Sequence, residues 1–444
     1  RRPPRSTLFP YTPLFRSHSI AGRKILATGN GTCNLSNVKA VHTDVDLHYY
    51  GASVQKAAGI LSEFTPDDTV GFFRRIGVEC VSEPDGRIYP LCRQASAVRN
   101  ALVHKIHELG VFVSYKTEVR SLSYSEEGYF TVKVSDSGIK DHKDRNGAIS
   151  AIDHQDRPGY RAEILRYGHI YAREVIISAG GKASPALSSD GLGYPLCRTL
   201  GHSMNELYPA IVRLETEPVL GRRASGLRID AGLKLCETGR EDVILASAEG
   251  EMLFTDKGLS GPVVLQLAGR AGPGRKHMLI IDLLPGYSAD GLEELLLFRQ
   301  KHLSSRSVIS YLEGLLPDRI ARAFIEERFP AADRQRISSL SKDDIHALAA
   351  ALKKIRAEIK GTEGWKEAQM TAGGVLLGEI DTESMGSVLM KGIYLTGELL
   401  DVTGDCGGFN LQFAWATGHL AGRCAASSAF PKAVHETVIS VPEA

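Results

Sequence analysis

From Ala95 the apolar positions Val98, Leu102, Ile106 and Leu109 recur at three- and four-residue spacing, which predicts an amphipathic helix closed by Gly110. Val111 to Val119 then reads as a strand, and a helix followed at once by a strand is the αβ half of a βαβ unit. Upstream, residues 51–76 predict one or two short helices ending near Gly77, then a turn at Asp85-Gly86 and an extended segment Arg87-Ile88-Tyr89-Pro90. Further strands are expected at Tyr129 to Val134 and Ala162 to Tyr167, separated by a polar stretch, 135–160, whose Gly, Pro and charge content predicts an exposed loop. His142 and His154 within it are too isolated to argue for a metal. Glu174 to Ser178 reads as a buried, central strand running into Ala179, Gly180 and Gly181, the place where α/β sheets bind ligands.

The pattern then changes. Between residues 200 and 286 short apolar runs alternate with turn signals, which predicts a mostly antiparallel sheet or small barrel, and Pro285-Gly286 marks a boundary. Residues 290–355 show helical periodicity (Leu292, Leu295, Leu296; Ile345, Leu348, Leu352) and suggest three or four short helices. The chain next reaches a small-residue turn at Gln369 to Val375 containing Gly373 and Gly374.

Candidate chemistry concentrates in two glycine-rich stretches. Gly392 to Gly422 runs from a short strand (Ile393, Tyr394, Leu395) through an acidic loop (Gly397, Glu398, Asp401, Gly404, Gly407, Gly408) into an apolar helix beginning near Asn410 and Leu411. Glycines ahead of a helix let backbone N–H groups approach a ligand, and the helix end adds partial positive charge. Glu398 and Asp401 are expected to be free to bind hydroxyls; a strand-loop-helix corner without a ligand is the other reading. The second stretch, Ala21 to Asn37, holds Gly22, Gly29, Asn30, Gly31, Asn34 and Asn37 and predicts a tight loop lining a site. Arg23 and Lys24 stand where they could meet a phosphate, or be solvated surface charge. Cys33, with no His partner in the motif, reads as a packed thiol.

Composition narrows the classes. The 45 glycines among 444 residues exceed the usual share of roughly 7% and cluster in pairs. With 53 basic and 52 acidic residues the chain carries +1, so no global field favours nucleic acid or an anionic membrane. Seven scattered cysteines without a C-x-x-C pair fit reduced thiols in the cytoplasm. No run approaches the roughly 18 apolar residues that span a bilayer. The first seventeen residues stand apart, with four Arg, four Pro and no acid. They resemble a translated sequencing adaptor and are expected to be a non-native, disordered arm, or else a disordered basic arm of the protein. Without them the charge is −3.

GRKILATGNGTCNLSN, DGRIYP, AGGK after the strand at 174–178, GEMLFTDKGLSGP, QMTAGGV and GELLDVTGDCGGFNLQFAWATG together resemble the bacterial aminoacetone-oxidase-like and 3-dehydro-bile-acid-reductase-like NAD(P)/FAD-dependent oxidoreductases, in order from about Ala21 to Arg423. The resemblance implies an α/β fold: a Rossmann-like FAD domain (18–190 and 366–444), split by an inserted β-barrel (191–286, closed by 357–365) and a helical cap (287–356). It implies that Gly29, Gly31 and Asn34 lie against the flavin and its diphosphate, that Val119 offers its backbone to adenine, and that Ala179 and Gly180 pass the diphosphate-ribityl region. Glu398 would bind ribityl hydroxyls, and Gly407, Gly408, Asn410 and Leu411 would face the O2/N1 edge, where a positive helix end favours accepting a hydride. Asn30, Gly181, Gly373, Gly374 and Gly397 complete the candidate cofactor site. The activity implied is hydride exchange between flavin N5 and a small organic substrate, with NAD(P)H or dioxygen as second partner. Arg87, Tyr89 and Thr371 are candidates for the substrate side, each with a structural reading beside it; no acid or base is assigned. A flavoprotein acting on a macromolecule such as tRNA, and a non-redox FAD-binding scaffold, are the rivals. The sequence departs from the family in three ways. No first strand with a G-x-G-x-x-G loop precedes Ala21, so this chain is expected to lack the main adenosine-diphosphate cradle. Thr32 stands where the family usually has Arg, and the 135–160 loop is longer.

Overall fold

A computed structural model describes residues 14–15, 17, 20–136, 167–187, 189–274, 276–330 and 335–429. The chain divides into two compact units, residues 1–205 with 373–444, and residues 206–372. The sequence places these boundaries at 190/191 and 365/366. The helix Gly193–Thr199 belongs instead to the first unit, because Gly193 seats it on Ala179 and Leu399: a Cβ at Gly193 would lie 2.7 Å from the Ala179 Cβ and 2.9 Å from the Leu399 Cδ1.

In the first unit Val175–Ile177 pairs in parallel with Ile393–Leu395, and the sheet continues through Gly386–Ser387 to Ile380–Asp381. Val175–Ile177 is thus the end strand of this described sheet rather than a central one, and Ile176 is 38% exposed. A three-stranded antiparallel sheet is built from Thr117–Tyr124, Phe130–Asp136 and Tyr167–Ala172, so the strand expected at Ala162 to Tyr167 begins where that range ends. Residues 162–166 and both His142 and His154 lie outside the described residues. The strand expected over 111–119 is two strands, Val113–Ser114 and Thr117–Tyr124, broken where Lys116 takes a left-handed φ of 53°. Leu14–Phe15, expected within a disordered arm, form a strand parallel to Val113–Ser114, with the Leu14 N–H donating to the Phe112 carbonyl at 2.8 Å.

The long helix Phe409–Ala429 is the buttress of this unit. Phe409, Phe413, Ala416 and Leu420 fall at three- and four-residue spacing and are buried, as that periodicity requires. Trp415 and Leu411 pack on a core of Cys33, Leu35, Phe73, Val78, Ala95 and Val98, with Trp415 edge-on to Phe73 at 5.2 Å. The helices Ala95–Glu108 and Pro66–Arg75 support that core, the latter started by a capping box between Thr65 and Asp68.

In the second unit six strands hydrogen-bond in a closed barrel, in the order Leu214–Thr216, Gly258–Ser260, Arg240–Thr255, Arg228–Glu237, His277–Asp282 and Ile355–Thr362. The helices Ala289–His302, Asp318–Arg328 and Lys342–Lys353 belong to the same unit. Among the described residues no helix is long and apolar enough to cross a membrane.

Candidate active site

The loop after the short helix Arg23–Ala27 is sharply coiled: Gly29, Asn30, Gly31 and Cys33 all have positive φ, between 54° and 90°. Asn30 and Cys33 hold this conformation without being glycine, a strain that the fold must offset. It is fixed by hydrogen bonds from the Cys33 N–H to the Thr28 carbonyl (3.0 Å) and from the Thr32 hydroxyl to the Gly29 carbonyl (2.6 Å). Cys33 is fully buried and burial pushes its thiol up to about 11, so it packs rather than reacts.

Residues 36–37 carry the helix N-terminus. The Asn37 amide donates to the Gly407 carbonyl (2.9 Å), and the Trp415 indole N–H donates to the Leu35 carbonyl (3.0 Å). Gly408 has φ 98°, and a Cβ there would lie 2.2 Å from the Ser36 carbonyl oxygen, so no other residue fits without displacing backbone. The first intrahelical bond is from the Gln412 N–H to the Gly408 carbonyl (3.0 Å), which leaves the N–H groups of Phe409, Asn410 and Leu411 without intrahelical acceptors. Beside them the Asn34 Oδ1, 2.9 Å from the position of a Gly408 Cβ, is buried and has no hydrogen-bond partner. An orphaned acceptor next to unused helix donors is a mark of a ligand site.

The other predicted residues converge on the 397–401 turn. The Lys24 ammonium lies 2.7 Å from the Glu398 Oε2 and 3.5 Å from the Ser189 hydroxyl, which itself donates to the Gly181 carbonyl (3.1 Å). Gly180 turns with φ 73° at the end of Val175–Ile177, while Gly397 donates its N–H to the Thr417 hydroxyl (3.0 Å). Gly373 and Gly374 do not form a turn. They are buried within the strand Met370–Val375, where a Cβ at Gly374 would lie 2.7 Å from the Leu399 carbonyl. Two of the glycine pairs, at 180–181 and 373–374, are thus linked to the 397–401 segment, whereas Gly407 and Gly408 pack on residues 34–37 and Arg87.

One expectation changes. Asp401 is not free to bind hydroxyls: it is 3% exposed, and its Oδ2 accepts from the Ala52 N–H (2.9 Å) and the Asn205 amide (2.6 Å). The Asn410 side chain braces its own loop, accepting from the Gly404 N–H and donating to the Gly404 carbonyl, both at 2.8 Å. Val119 sits on the antiparallel sheet at a register shift opposite Val134, and Arg23 is half-buried on the Arg23–Ala27 helix.

Arg87 and Tyr89 line a cavity of about 300 Å³ with Glu83, Pro84, Asp85 and Arg93. It adjoins both loops: Tyr89 Cε1 is 3.7 Å from a Gly29 Cβ position and Arg87 Cγ 3.7 Å from that of Gly407. Asp85 hydrogen-bonds Arg87, lowering the carboxyl and raising the guanidinium from their usual ranges. The Arg93 guanidinium lies 4.5 Å from the Tyr89 ring centre. Thr371 is buried in the second unit.

Sequence reasoning missed two clusters. Gln412, fully buried, accepts from the Ser36 (2.7 Å) and Thr69 (2.8 Å) hydroxyls and donates to the Phe64 carbonyl (2.8 Å). Its signal was a lone amide on the buried stripe, four residues before Ala416. Asp405, 3% exposed, lies 3.1 Å from the His48 Nδ1, and the His48 ring stacks on Phe409 at 4.5 Å. No sequence signal links residues 357 positions apart.

The model of the HI0933-like protein Rossmann domain matches residues 12–144 and 142–424. The chain belongs to this family. A 3-dehydro-bile acid delta(4,6)-reductase of Clostridium scindens is 34% identical over 91% of this chain and 90% of its own length. A ribosomal RNA dihydrouridine synthase of Escherichia coli is 26% identical over 89% of this chain and 87% of its own. Among solved structures a flavocytochrome c3 fumarate reductase covers 93% of this chain and 70% of its own at 13% identity and a TM-score of 0.41. The family member described here is an oxidoreductase of the FAD-binding kind. Its residues fit that cofactor: an orphaned acceptor at Asn34 and unused N–H donors for a polar ring edge, a carboxylate at Glu398 for hydroxyls and an ammonium at Lys24 for phosphate.

Proposed function

We propose that this chain is an FAD-dependent reductase that adds hydrogen across a carbon–carbon double bond conjugated with a carbonyl group in a small organic substrate. The observation that carries the reading is the pairing of the orphaned Asn34 Oδ1 with the open N-terminus of Phe409–Ala429, on a chain of which 91% aligns with a delta(4,6)-reductase. When bound, FAD supplies a hydride from N5, drawn from NADH or NADPH, with dioxygen as an alternative acceptor. The chain's own residues bind and orient. Asn34 would accept from a ring N–H, the first-turn N–H groups would donate to a ring carbonyl, and Glu398 would accept from hydroxyls. Arg87, kept cationic by Asp85, and Tyr89 line the neighbouring cavity, where they donate to the substrate carbonyl and so draw electron density from the double bond.

Reduction of a uridine in RNA is the second reading, favoured by the dihydrouridine synthases at 26% and 25% identity. The near-balanced charge, 53 basic against 52 acidic residues, weighs against a large phosphate footprint. The test is to purify the chain, supply FAD, reduce it anaerobically with NADH or NADPH, and add either conjugated ketones or a uridine-rich RNA. Reoxidation by the ketones with a saturated product is expected. Absence of flavin absorbance after loading sinks the FAD reading; reoxidation by RNA alone favours the second.

A further inference from the structure

Lys24 and Glu398 are suited to different parts of a flavin nucleotide, yet here they hold each other. The Lys24 side chain is 30% exposed and that of Glu398 only 11%. Lys24 is therefore the more exposed partner of the pair and Glu398 the more enclosed. Ser189, 3% exposed and anchored to the Gly181 carbonyl, places its hydroxyl 3.5 Å from the same ammonium. Three separate segments of one unit thus meet at one cation. A lysine ammonium is a compact charge with three donors on a flexible stem, so it can turn from one acceptor to another without moving backbone.

The geometry points to Lys24 as an exchangeable phosphate clasp. Resting on the FAD reading above, it holds Glu398 and closes the site until a phosphate oxygen arrives. It then moves onto the phosphate, and the Glu398 oxygen is released to accept a hydroxyl of the same ligand. The positive charge ends between two anions, which keeps phosphate and carboxylate from repelling one another. The consequence is selectivity: Lys24 makes the chain prefer phosphate-bearing flavins to riboflavin, and Glu398 competes with phosphate for the ammonium.

Titration calorimetry of the purified, flavin-free 444-residue chain with inorganic pyrophosphate tests this. The clasp requires that wild type binds pyrophosphate, that Lys24→Met weakens binding at least tenfold, that Lys24→Arg largely restores it, and that Glu398→Gln strengthens it several-fold by removing the competitor. A purely structural ion pair would make both neutral variants weaken binding alike. That result, or no binding by folded wild type, overturns the proposal. Circular dichroism confirms that each variant is folded. In a second arm, flavin fluorescence quenching is expected to show the preference for FMN over riboflavin falling at least tenfold in Lys24→Met; an unchanged preference overturns it. Pyrophosphate binding through Lys24 in a chain that takes up no flavin would reject the FAD reading and leave the clasp standing.

Discussion

The two sides of the helix N-terminus are built on opposite principles. On one side, Gln412, Ser36, Thr69 and the Phe64 carbonyl form a closed buried network, and Gly408 presses on the Ser36 backbone. On the other, the Asn34 Oδ1 has no partner, and the Lys24–Glu398 pair is partly open to water. The first is a floor whose polar groups are spent on each other and whose geometry has no slack. The second keeps its polar groups for something else. A binding site needs both: rigidity to place the donors, and unsatisfied groups to recognise a ligand.

This contrast predicts a graded set of mutational effects. The largest belongs to Gly408→Ala, which puts a Cβ 2.2 Å from the Ser36 carbonyl at a φ of 98°; a loss of at least about 3 kcal/mol is expected in urea unfolding. Next comes Gln412→Ala, which strands two buried hydroxyls and a carbonyl and should cost about 2–3 kcal/mol by the same measurement. If either variant were as stable as wild type, the floor would not be the rigid half of the pair.

A smaller effect is tied to pH. Burial holds the Cys33 thiol proton up to about 11, above the ordinary thiol value of 9.0, so the unfolded chain loses this proton first. The Cys33 contribution is intact below about pH 9 and falls as pH rises from there to 11. Cys33→Ala should flatten part of that decline in a series of unfolding curves; an unchanged slope would mean that the thiol does not stay buried. On the open side the stability effects should be the smallest. Lys24→Met breaks a partly exposed pair, worth about 1 kcal/mol or less. Asn34→Ala removes an unpaired acceptor and should change stability by less than about 1 kcal/mol. Both should nonetheless reduce flavin retention on gel filtration, and retention equal to wild type in both would erase the distinction.

Local patterns gave much of the fold because they report local causes. The spacing of Val98, Leu102 and Ile106 with the stop at Gly110 marked the helix Ala95–Glu108, and Gly29 to Asn34 marked a loop that could be neither helix nor strand. Long-range pairing was not legible. Nothing in Glu398 discloses that its carboxylate meets Lys24, nor in Asp401 that Ala52 and Asn205 occupy it, since those partners are set by how distant segments pack. The strand over 111–119 looked continuous because Lys116 carries no turn signature, yet it takes the left-handed region. Gly373 and Gly374 looked like a turn because paired glycine usually is one; here the missing side chain lets one backbone lie on another.

The Gln412 network also has a consequence in time. Ser36 and Gln412 are 376 residues apart in the chain, and Thr69 and Gln412 are 343 apart. As the polypeptide leaves the ribosome from its N-terminal end, Ser36 and Thr69 emerge early and wait through more than three hundred residues before Gln412, which closes their network, appears. The 206–372 unit, contiguous in sequence, has by then emerged in full. The candidate site is therefore among the last parts of the molecule to be completed during synthesis.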